Sequence, residues 1–498
     1  AGSNVDTDTI ILESGKTYPL TMLGSNDESN AFGDLDFNTN GGALLDIEIT
    51  TDGDEPATIA QLTPNQRIFD ISVNISLRLH NLIITGGRGE VGGAIRNLNG
   101  FLELDRVTLV NNSVWVSGQL GGGLWTLWDT TITNSVFRNN VTSSGIGGAI
   151  MAGRGLTVTN TLFENNTALS GGAIYVQNFG SPAFIADISN NTFVGNTNTS
   201  LSGGTSDIWA VGSPMTMILN NNTFVGGLAP AGSVIRVEAG ANAAIFNNII
   251  GAASADTLPC SVNSPGTFTD GYNRVHATGG PCNGIGTTTL SADSLTGLGD
   301  HGGATPTILL RPGSNALDGG LIAACESTDA RGVARRTGVG LCDIGAVEMF
   351  RISMASPPST PEDPTLVNYT LNLTPPVPAG MEITLVASAT SGTATAGVDF
   401  TATQQLLVFD NETAHLFVVQ HFDDSFDEPN ENYFVNVALD NGLAILSPPF
   451  VGSITDDDTA GVNVGASSLV LVEGGAPDSF LLSLMSEPTA DVDITLSF

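Results

Sequence analysis

The chain has 498 residues, 41% of them hydrophobic and 60 of them glycine, so it is long enough for several domains and apolar enough to bury a core. Its formal net charge of −35 excludes nucleic acid and anionic membrane surfaces as partners and favours divalent cations. No apolar run approaches the roughly 20 residues that a membrane-spanning helix requires, so no membrane span is expected in this segment.

Residues 1–90 are predicted to form an N-terminal cap and the first coils of a repeat domain, because a stack of repeats needs a cover over its first coil. Strand-like segments at 9–12 and 18–21 lead into an acidic loop that contains Asp34 and Asp36. These two aspartates are candidate cation ligands, although a solvated acidic turn is the simpler interpretation. The chain starts at Ala1 without a methionine or an apolar leader, which indicates a processed end.

Residues 91–255 contain a repeat whose copies are spaced 24 to 31 residues apart. A glycine pair followed by a small and then an apolar residue recurs at 92–95, 121–124, 147–150 and 171–174. A second phrase places asparagine three positions before and after an aromatic residue, and its central residues are Phe137, Phe163, Phe193 and, without the second asparagine, Phe224. The intervening segments alternate as strands do.

A repeat of this kind predicts an all-β solenoid, a right-handed parallel β-helix in which each repeat is one coil of about three short strands. The phenylalanines should stack inside the coils, and the corner asparagines should bond to the backbone of the next coil. A β-sandwich with asparagine clusters that arise by chance is the alternative.

Catalysis by acidic residues needs carboxylates that converge, which in a solenoid requires acids that repeat on one face. The position four before the aromatic residue holds one acid, Asp105, and other acids and histidines fall at unlike offsets. We therefore expect no enzymatic activity. Trp125 and Tyr175 share one position after the glycine pair, where an exposed aromatic ring stacks on sugars; packing against a neighbouring loop is the competing interpretation.

Residues 256–348 hold all the cysteines: Cys260, Cys282, Cys325 and Cys342. Their spacing, with no neighbouring histidine pair, argues against a zinc site. Four cysteines permit three pairing schemes, and the preferred scheme has two local disulfides, Cys260–Cys282 and Cys325–Cys342. Disulfides indicate export to an oxidising compartment.

The same region ends in four distinctive motifs, at residues 300–307, 310–318, 329–335 and 340–348. They resemble the end of the bacterial choice-of-anchor Q β-helix family, and the resemblance covers residues 1–348. It implies a secreted or surface-held β-helix with the same two disulfides and no established reaction. Arg331, Arg335 and Asp343 are expected to form ion pairs that tie this tail onto the last coil, with a binding site at Asp329 and Arg331 as the alternative.

Residues 349–458 return to strand alternation, and about seven short strands in about 110 residues predict an immunoglobulin-like antiparallel β-sandwich. Acidic motifs stand at 391–400, 422–431 and 454–458. This unit is similar to the Calx-beta domain, and the resemblance implies Ca²⁺ at one tip of the sandwich. Residues 459–498 begin the same motif again at Glu473, so we expect an incomplete second copy; either the native chain continues, or another subunit supplies the missing strands.

Residues 351–498 carry 20 acidic side chains and one arginine, Arg351, and clustered carboxylates suit Ca²⁺. The resemblance implies as ligands Glu362, Asp399, Asp423, Asp424, Glu428, Asp456, Asp457 and Asp458. Glu362 departs from the family pattern, because it lies in Pro-Glu-Asp-Pro where the family usually has Glu-Gly. An acidic rim that only keeps the domain in solution is the alternative.

These features predict a non-enzymatic extracellular or cell-surface protein, in which a rigid β-helix is carried on calcium-binding Calx-beta domains. Adhesion, a surface layer or a fibre built by self-association are the expected roles, with surface glycans as further partners. The alternatives are a polysaccharide lyase or hydrolase acting on acidic glycans, and a glycan-binding module without turnover.

Overall fold

The computed structural model describes residues 7–22, 33–39, 42–180, 182–200, 203–252, 257–263, 266–275, 287–291, 293–336, 342–355, 359–439, 444–445, 450–466, 468–470 and 472–497. The chain divides into two units, Ala1–Met349 and Phe350–Phe498. Within the described residues, regular structure is β except for the 3₁₀ turn Ile322–Ala324. Nothing helical in those ranges has the length and apolar character needed to cross a membrane.

The first unit is a parallel β-solenoid with three faces. Its first face contains Asp8–Leu12, Leu45–Thr51, Thr130–Thr133, Leu156–Thr159, Phe184–Ser189, Met215–Asn220, Asn242–Phe246 and Phe268–Gly271. Its second face contains Thr17–Leu20, Ala57–Gln61, Val136–Arg138, Leu162–Glu164, Thr192–Val194, Thr223–Gly227, Ile249–Ala252, Asn273–Val275 and Thr287–Thr289. The long strands Ile75–Thr85 and Phe101–Val110 run through the corner and join these faces into one 19-stranded sheet.

The third face is a nine-stranded parallel sheet. Its strands are Leu35–Phe37, Phe69–Ile71, Ile95–Asn97, Leu124–Thr126, Ile150–Ala152, Ile174–Gln177, Thr205–Val211, Ser233–Glu238 and Leu258–Asn263. A two-stranded ladder, Thr167–Ala168 with Thr197–Asn198, adds to the coils.

Left-handed residues turn the chain at the corners of each coil. Between the first two faces these residues have φ from 51° to 59° and are Asn81, Arg106, Asn134, Asn160, Asn190, Asn221, Asn247 and Tyr272. Asparagine tolerates this conformation better than most residues, which explains the first asparagine of the repeat. The two glycines of the pair are required for different reasons. Gly121 has a φ of 68°, which favours glycine, and a Cβ on Gly122 would lie 2.2 Å from the carbonyl oxygen of Gly148 on the next coil.

The interior of the coils contains the predicted phenylalanine stack. The ring centroids of Phe137, Phe163, Phe193 and Phe224 follow one another at 5.2, 4.8 and 4.4 Å, and all four side chains are fully buried. Parallel pairing in register places each ring directly over its counterpart.

The second asparagine of the repeat forms a side-chain ladder. Asn140 Nδ2 donates to Asn166 Oδ1 at 3.0 Å, and Asn166 Nδ2 donates to Asn196 Oδ1 at 3.0 Å. The same nitrogens also donate to main-chain carbonyls of another coil, as Asn166 does to Phe137, so the predicted bonding to backbone is present. Because buried amides must find partners, each rung fixes the stacking of two coils.

The end of the first unit packs along a corner of several coils, and not on the last coil alone as the sequence predicts. Arg335 Nη2 donates to Asn190 Oδ1 at 2.8 Å, and the amide of Gly345 donates to the carbonyl of Asn247 at 2.8 Å. Arg331 instead pairs with Asp329, at 2.8 Å. This region also contains an antiparallel pair, Leu295–Gly299 with Thr307–Leu310.

A disulfide joins Cys325 to Cys342, which confirms that predicted pair. Cys260 is buried and disulfide-bonded. Cys282 lies outside the described residues, so its pairing with Cys260 stays a prediction.

The second unit is an antiparallel sandwich. One sheet contains Phe350–Ala355, Leu366–Thr374, Ala414–Gln420 and Ala444–Ile445; the other contains Thr360–Pro361, Ile383–Ser391, Gln404–Phe409, Glu431–Leu439 and Phe450–Thr455. The hydroxyls of Tyr369 and Tyr433 meet between the sheets at 2.5 Å, and both rings are buried. The predicted fold class, a parallel β-helix solenoid followed by an immunoglobulin-like sandwich, is confirmed.

The described residues after 459 contain one further antiparallel ladder, Val462–Val464 with Leu482–Leu484. Apolar side chains there are exposed: Val472 and Leu481 have 69% and 76% of their surface accessible. Burial therefore contributes little to the stability of this segment by itself.

Candidate metal centre

The acidic residues singled out by the sequence lie at one end of the sandwich. The strands Ile383–Ser391 and Phe450–Thr455 end, and Glu431–Leu439 begins, at the same edge, because they are antiparallel neighbours. The short strand Thr360–Pro361 runs parallel to Phe450–Thr455 and ends beside it. The loops at these ends hold the candidates Glu362, Asp399, Asp423, Asp424, Glu428, Asp456, Asp457 and Asp458.

Three carboxylates form the centre of this cluster. Glu362, Asp399 and Glu428 each offer one oxygen, and the three oxygens lie within 4.8 Å of one another. Glu362 and Asp399 are buried, with 5% and 6% of their surface exposed. The amide of Glu362 donates to the carbonyl of Thr455 at 2.9 Å, and the amide of Thr395 donates to Asp399 Oδ2 at 2.6 Å. Glu362 is thus central to the cluster despite its unusual Pro-Glu-Asp-Pro context.

Mutual repulsion within the cluster changes the acidity of its members. The pKa of Glu362 is raised to about 7, first by burial and then by the charges of Asp424, Asp456, Glu428 and Asp399. Burial, followed by three of the same charges, also raises the pKa of Glu428. Folding has therefore brought together carboxylates that would separate in water.

The remaining candidates border this centre. The pKa of Asp458 is raised, first by desolvation and then by the charges of Asp457, Asp456, Asp423 and Asp424. Asp424 and Asp456 also act on Glu362, so they connect the two groups. All eight predicted residues consequently lie within electrostatic reach of one cluster.

Sequence reasoning missed Glu431, the first residue of the strand Glu431–Leu439. Its pKa is raised to about 7, first by burial, then by a hydrogen bond with Asp399 and by the charges of Asp399, Glu428 and Asp424. Its position three residues after Glu428, at the start of a strand, was the available signal. The cluster thus contains a carboxylate beyond the predicted set.

A second group of acidic residues lies in the solenoid and, unlike the cluster around Glu362, is paired with arginines. Asp34, Asp36 and Asp70 also place oxygens within 4.8 Å of one another, and all three are buried, so the interpretation of Asp34 and Asp36 as a solvated turn is wrong. Arg67 Nε lies 3.0 Å from Asp34 Oδ2 and 3.2 Å from Asp70 Oδ2, and Arg96 Nε donates to Asp70 Oδ1 at 2.9 Å. Two guanidinium groups already supply the positive charge that a metal would bring.

The acidic loops and the sandwich that holds them have a counterpart among known protein families. Residues 362–460 match the Calx-beta domain. Calx-beta domains bind calcium. The predicted similarity of this unit is therefore confirmed for those residues.

Two solved structures of calcium-binding domains are similar to part of this chain. The crystal structure of the apo-form Calx CBD1 domain has 21% sequence identity, and the match covers 22% of this chain and all of that one, with a TM-score of 0.20. The calcium binding domain CBD12 of CALX1.1 has 19% identity, covering 22% of this chain and 44% of that one, with a TM-score of 0.20.

A longer match among the solved structures has lower sequence identity. A match to the tailspike protein gp49 of Acinetobacter baumannii bacteriophage Fri1, a capsular polysaccharide depolymerase, has 11% identity, covers 81% of this chain and 78% of that one, and has a TM-score of 0.17. A similarity at this level gives no information about activity. No curated protein matches the chain.

The residues of the Calx-beta domain fit a calcium ion. Asp456 Oδ1 is buried and accepts no hydrogen bond from the described residues, and a buried carboxylate oxygen requires a donor or a cation. The cluster offers oxygen ligands only, as Ca²⁺ prefers. Glu362, Asp399, Asp424, Glu428 and Asp456 would hold the ion, which would supply the positive charge that this end of the domain lacks.

Proposed function

We propose that this chain is an extracellular structural or adhesive protein, in which a rigid β-solenoid is joined to a Calx-beta domain that binds Ca²⁺. We also propose that it self-associates into a fibre or surface layer and performs no chemical turnover. The disulfide between Cys325 and Cys342 supports an oxidising compartment.

The carboxylate cluster around Glu362 carries this proposal. Residues 351–498 contain 20 acidic side chains and one arginine, so the cluster has almost no cationic side chain to neutralise it. A divalent cation removes the repulsion and fixes several loops at once. The solenoid supports a mechanical role, because its stacked phenylalanine rings and asparagine ladder repeat the same contacts from coil to coil.

We expect the purified protein to form fibres or sheets in the presence of calcium chloride and to remain dispersed in EDTA. Negative-stain electron microscopy measures this, with sedimentation velocity as a second readout. The variant Asp399→Asn should stay dispersed in calcium, whereas Asp410→Asn, an equal change of charge at the opposite end of the sandwich, should assemble normally. Dispersed particles under every condition would show that the self-association proposal is wrong.

We expect no release of oligosaccharides from polygalacturonate or alginate. In the solenoid, the acidic group of Asp34, Asp36 and Asp70 is buried and held by Arg67 and Arg96, so it is poorly suited to transfer protons. Assays for reducing ends and for the absorbance of unsaturated products measure the activity. Product formation that a single substitution abolishes would instead establish a polysaccharide lyase or hydrolase.

A further inference from the structure

A groove of about 500 Å³ lies on the outside of the solenoid, where the chain turns after consecutive strands of the third face. Most of its lining residues belong to the turns that follow Ile95–Asn97, Leu124–Thr126, Ile150–Ala152 and Ile174–Gln177, and Leu120 and Trp125 lie before and within the second of these strands. A volume of this size accommodates one or two sugar rings or a small organic ligand.

Three aromatic rings line this groove: Trp125 from the strand Leu124–Thr126, Trp128 from the turn after that strand, and Phe179 from the turn after Ile174–Gln177. The tryptophans are half-buried, and Phe179 has 55% of its surface exposed. Large aromatic rings that stay exposed next to one another mark a surface that binds a ligand. Their planar apolar faces can stack on the C–H face of a pyranose ring.

A missing side chain opens the floor of the groove. Gly153 stands where the register gives the neighbouring coils Leu127 and Gln177, and a Cβ at this position would lie 2.6 Å from Leu127 Cδ2 and 3.2 Å from Phe179 Cε2. The φ of this glycine lies outside the left-handed region, so backbone conformation does not require glycine here. Its absence of a side chain leaves room between the rings.

One cation belongs to the groove. The guanidinium carbon of Arg154 lies 4.3 Å from the centre of the Trp128 ring, which holds the side chain in place. The nearest carboxylate oxygen, Asp129 Oδ1, lies 3.7 Å from Arg154 Nε, beyond hydrogen-bond distance, and Asp129 is 57% exposed. Among described residues no acceptor takes a hydrogen bond from Arg154, so its planar fork is available to a carboxylate.

Two residues that the sequence placed at equivalent positions differ in the structure. Tyr175 is buried, packs edge-on against Trp209 with centroids 5.2 Å apart, and donates to Gln177 Oε1 at 2.8 Å. Packing therefore explains Tyr175. Trp125 instead lines the groove, beside the position left open by Gly153.

We propose that this groove binds an acidic glycan, with a uronic acid residue stacked on the aromatic rings and its carboxylate on Arg154. The rings select a pyranose, Arg154 selects the acid, and Asn99 at the rim adds an amide for a hydroxyl group. This site is independent of the calcium-binding proposal, because all its residues belong to the solenoid.

The test uses the full chain and tetramers of galacturonate, mannuronate and glucuronate, with methyl-esterified galacturonate tetramer as the neutral match. Calorimetric titration and tryptophan fluorescence measure binding. We expect at least one uronate tetramer to bind with a dissociation constant below about 1 mM and the methyl ester to bind at least about tenfold more weakly.

Three variants separate the contributions to binding of the aromatic rings, of the Arg154 charge and of the room left by Gly153. Trp128→Ala should weaken binding of acidic and neutral tetramers alike, by about tenfold or more. Arg154→Gln should remove the preference for the acid and leave the neutral tetramer unchanged. Gly153→Leu should block the groove and leave Trp125, Trp128 and Arg154 in the sequence, because its side chain would displace the flexible end of Leu127 and press against the ring of Phe179.

Trp115→Ala is the matched control, since Trp115 is a tryptophan with 40% exposure that does not line the groove. It should bind like the wild type, and all variants should retain the wild-type melting temperature within about 3 °C. The proposal is overturned if none of the three uronates binds, if the methyl ester binds as tightly as the acid, or if Trp128→Ala binds normally. Binding of neutral tetramers alone would assign the groove to a different class of glycan.

Discussion

Adding a calcium chelator is expected to lower the melting temperature of the sandwich by about 11–22 °C. A ligand present at about 100 times its dissociation constant adds about 2.7 kcal/mol of stability, and each kcal/mol shifts a domain of this size by about 4–8 °C. Without the ion, Glu362, Asp399, Glu428 and Glu431 face one another with little compensating charge. Repulsion within this cluster then opposes folding.

The positions of the tryptophans make this measurement selective. All four lie in the unit Ala1–Met349, so tryptophan fluorescence follows the unfolding of the solenoid and calorimetry follows both units. The chelator should shift a calorimetric transition that has no counterpart in tryptophan fluorescence. A calorimetric trace that is identical with and without chelator would contradict calcium binding by this domain.

Isosteric variants and pH refine the same test. Asp399→Asn should remove most of the response to chelator, whereas Asp410→Asn should keep it. The pKa values of Glu362 and Glu431 are raised to about 7, so protons stabilise the ion-free domain, and this stabilisation is lost as the pH rises through 7. Because protons also compete with the ion, the effect of the chelator should be larger at pH 8 than at pH 5.

Replacing Asp207 with asparagine is expected to stabilise the solenoid by about 2–4 kcal/mol at pH 8 and to have little effect at pH 4. Asp207 is fully buried, and burial raises its pKa to about 7 despite hydrogen bonds from Asn196 and Ser206. Since the folded pKa lies above the unfolded value, stability is greatest below pH 4 and falls as the pH rises through 7.

The place of Asp207 in the fold explains why asparagine should suit it. The asparagine ladder continues through Asn166 to Asn196, and the next coil has Gly227 where another rung would stand. Asp207 Oδ1 accepts from Asn196 Nδ2 at 2.8 Å and so ends the ladder with a carboxylate. An amide oxygen can accept the same bond without carrying a charge.

Denaturant unfolding followed by tryptophan fluorescence at pH 4 and pH 8 measures the effect on the solenoid. Asp187→Asn serves as the control, because Asp187 is only partly buried and the change of charge is the same. We expect that variant to differ from the wild type by less than about 0.5 kcal/mol at both pH values. If Asp207→Asn were equally stable at pH 8, or less stable, the buried carboxylate would not be the source of the pH dependence.

The sequence by itself determined the stacking of the solenoid and the general position of the acidic cluster. Parallel coils in register turn a sequence period into contacts in space, so the spacing of Phe137, Phe163 and Phe193 fixed which rings meet. The acids of the Calx-beta unit could be assigned because they follow or precede strands, and strand ends meet at one edge of an antiparallel sheet.

Contacts between residues far apart in sequence were decided only by the tertiary structure. The local pattern around Asp34 favours a solvated acidic turn over a cation site, but Asp34 is buried beside Arg67, 33 residues later in the chain. Glu431 joins the cluster through a hydrogen bond with Asp399, and Asp207 ends a ladder whose earlier rungs, Asn140 and Asn166, come from preceding coils. Local pattern does not report these neighbours, because it encodes the period of the chain and the direction of its strands.

The same reason separates Trp125 from Tyr175, which the repeat places at equivalent positions. Register gives both the same location on the third face. Their different surroundings depend on the irregular turns around them, where one coil has glycine at 153 and another has Phe179. A repeat thus specifies what its copies share, and only packing of the residues that differ decides which copy presents a binding surface.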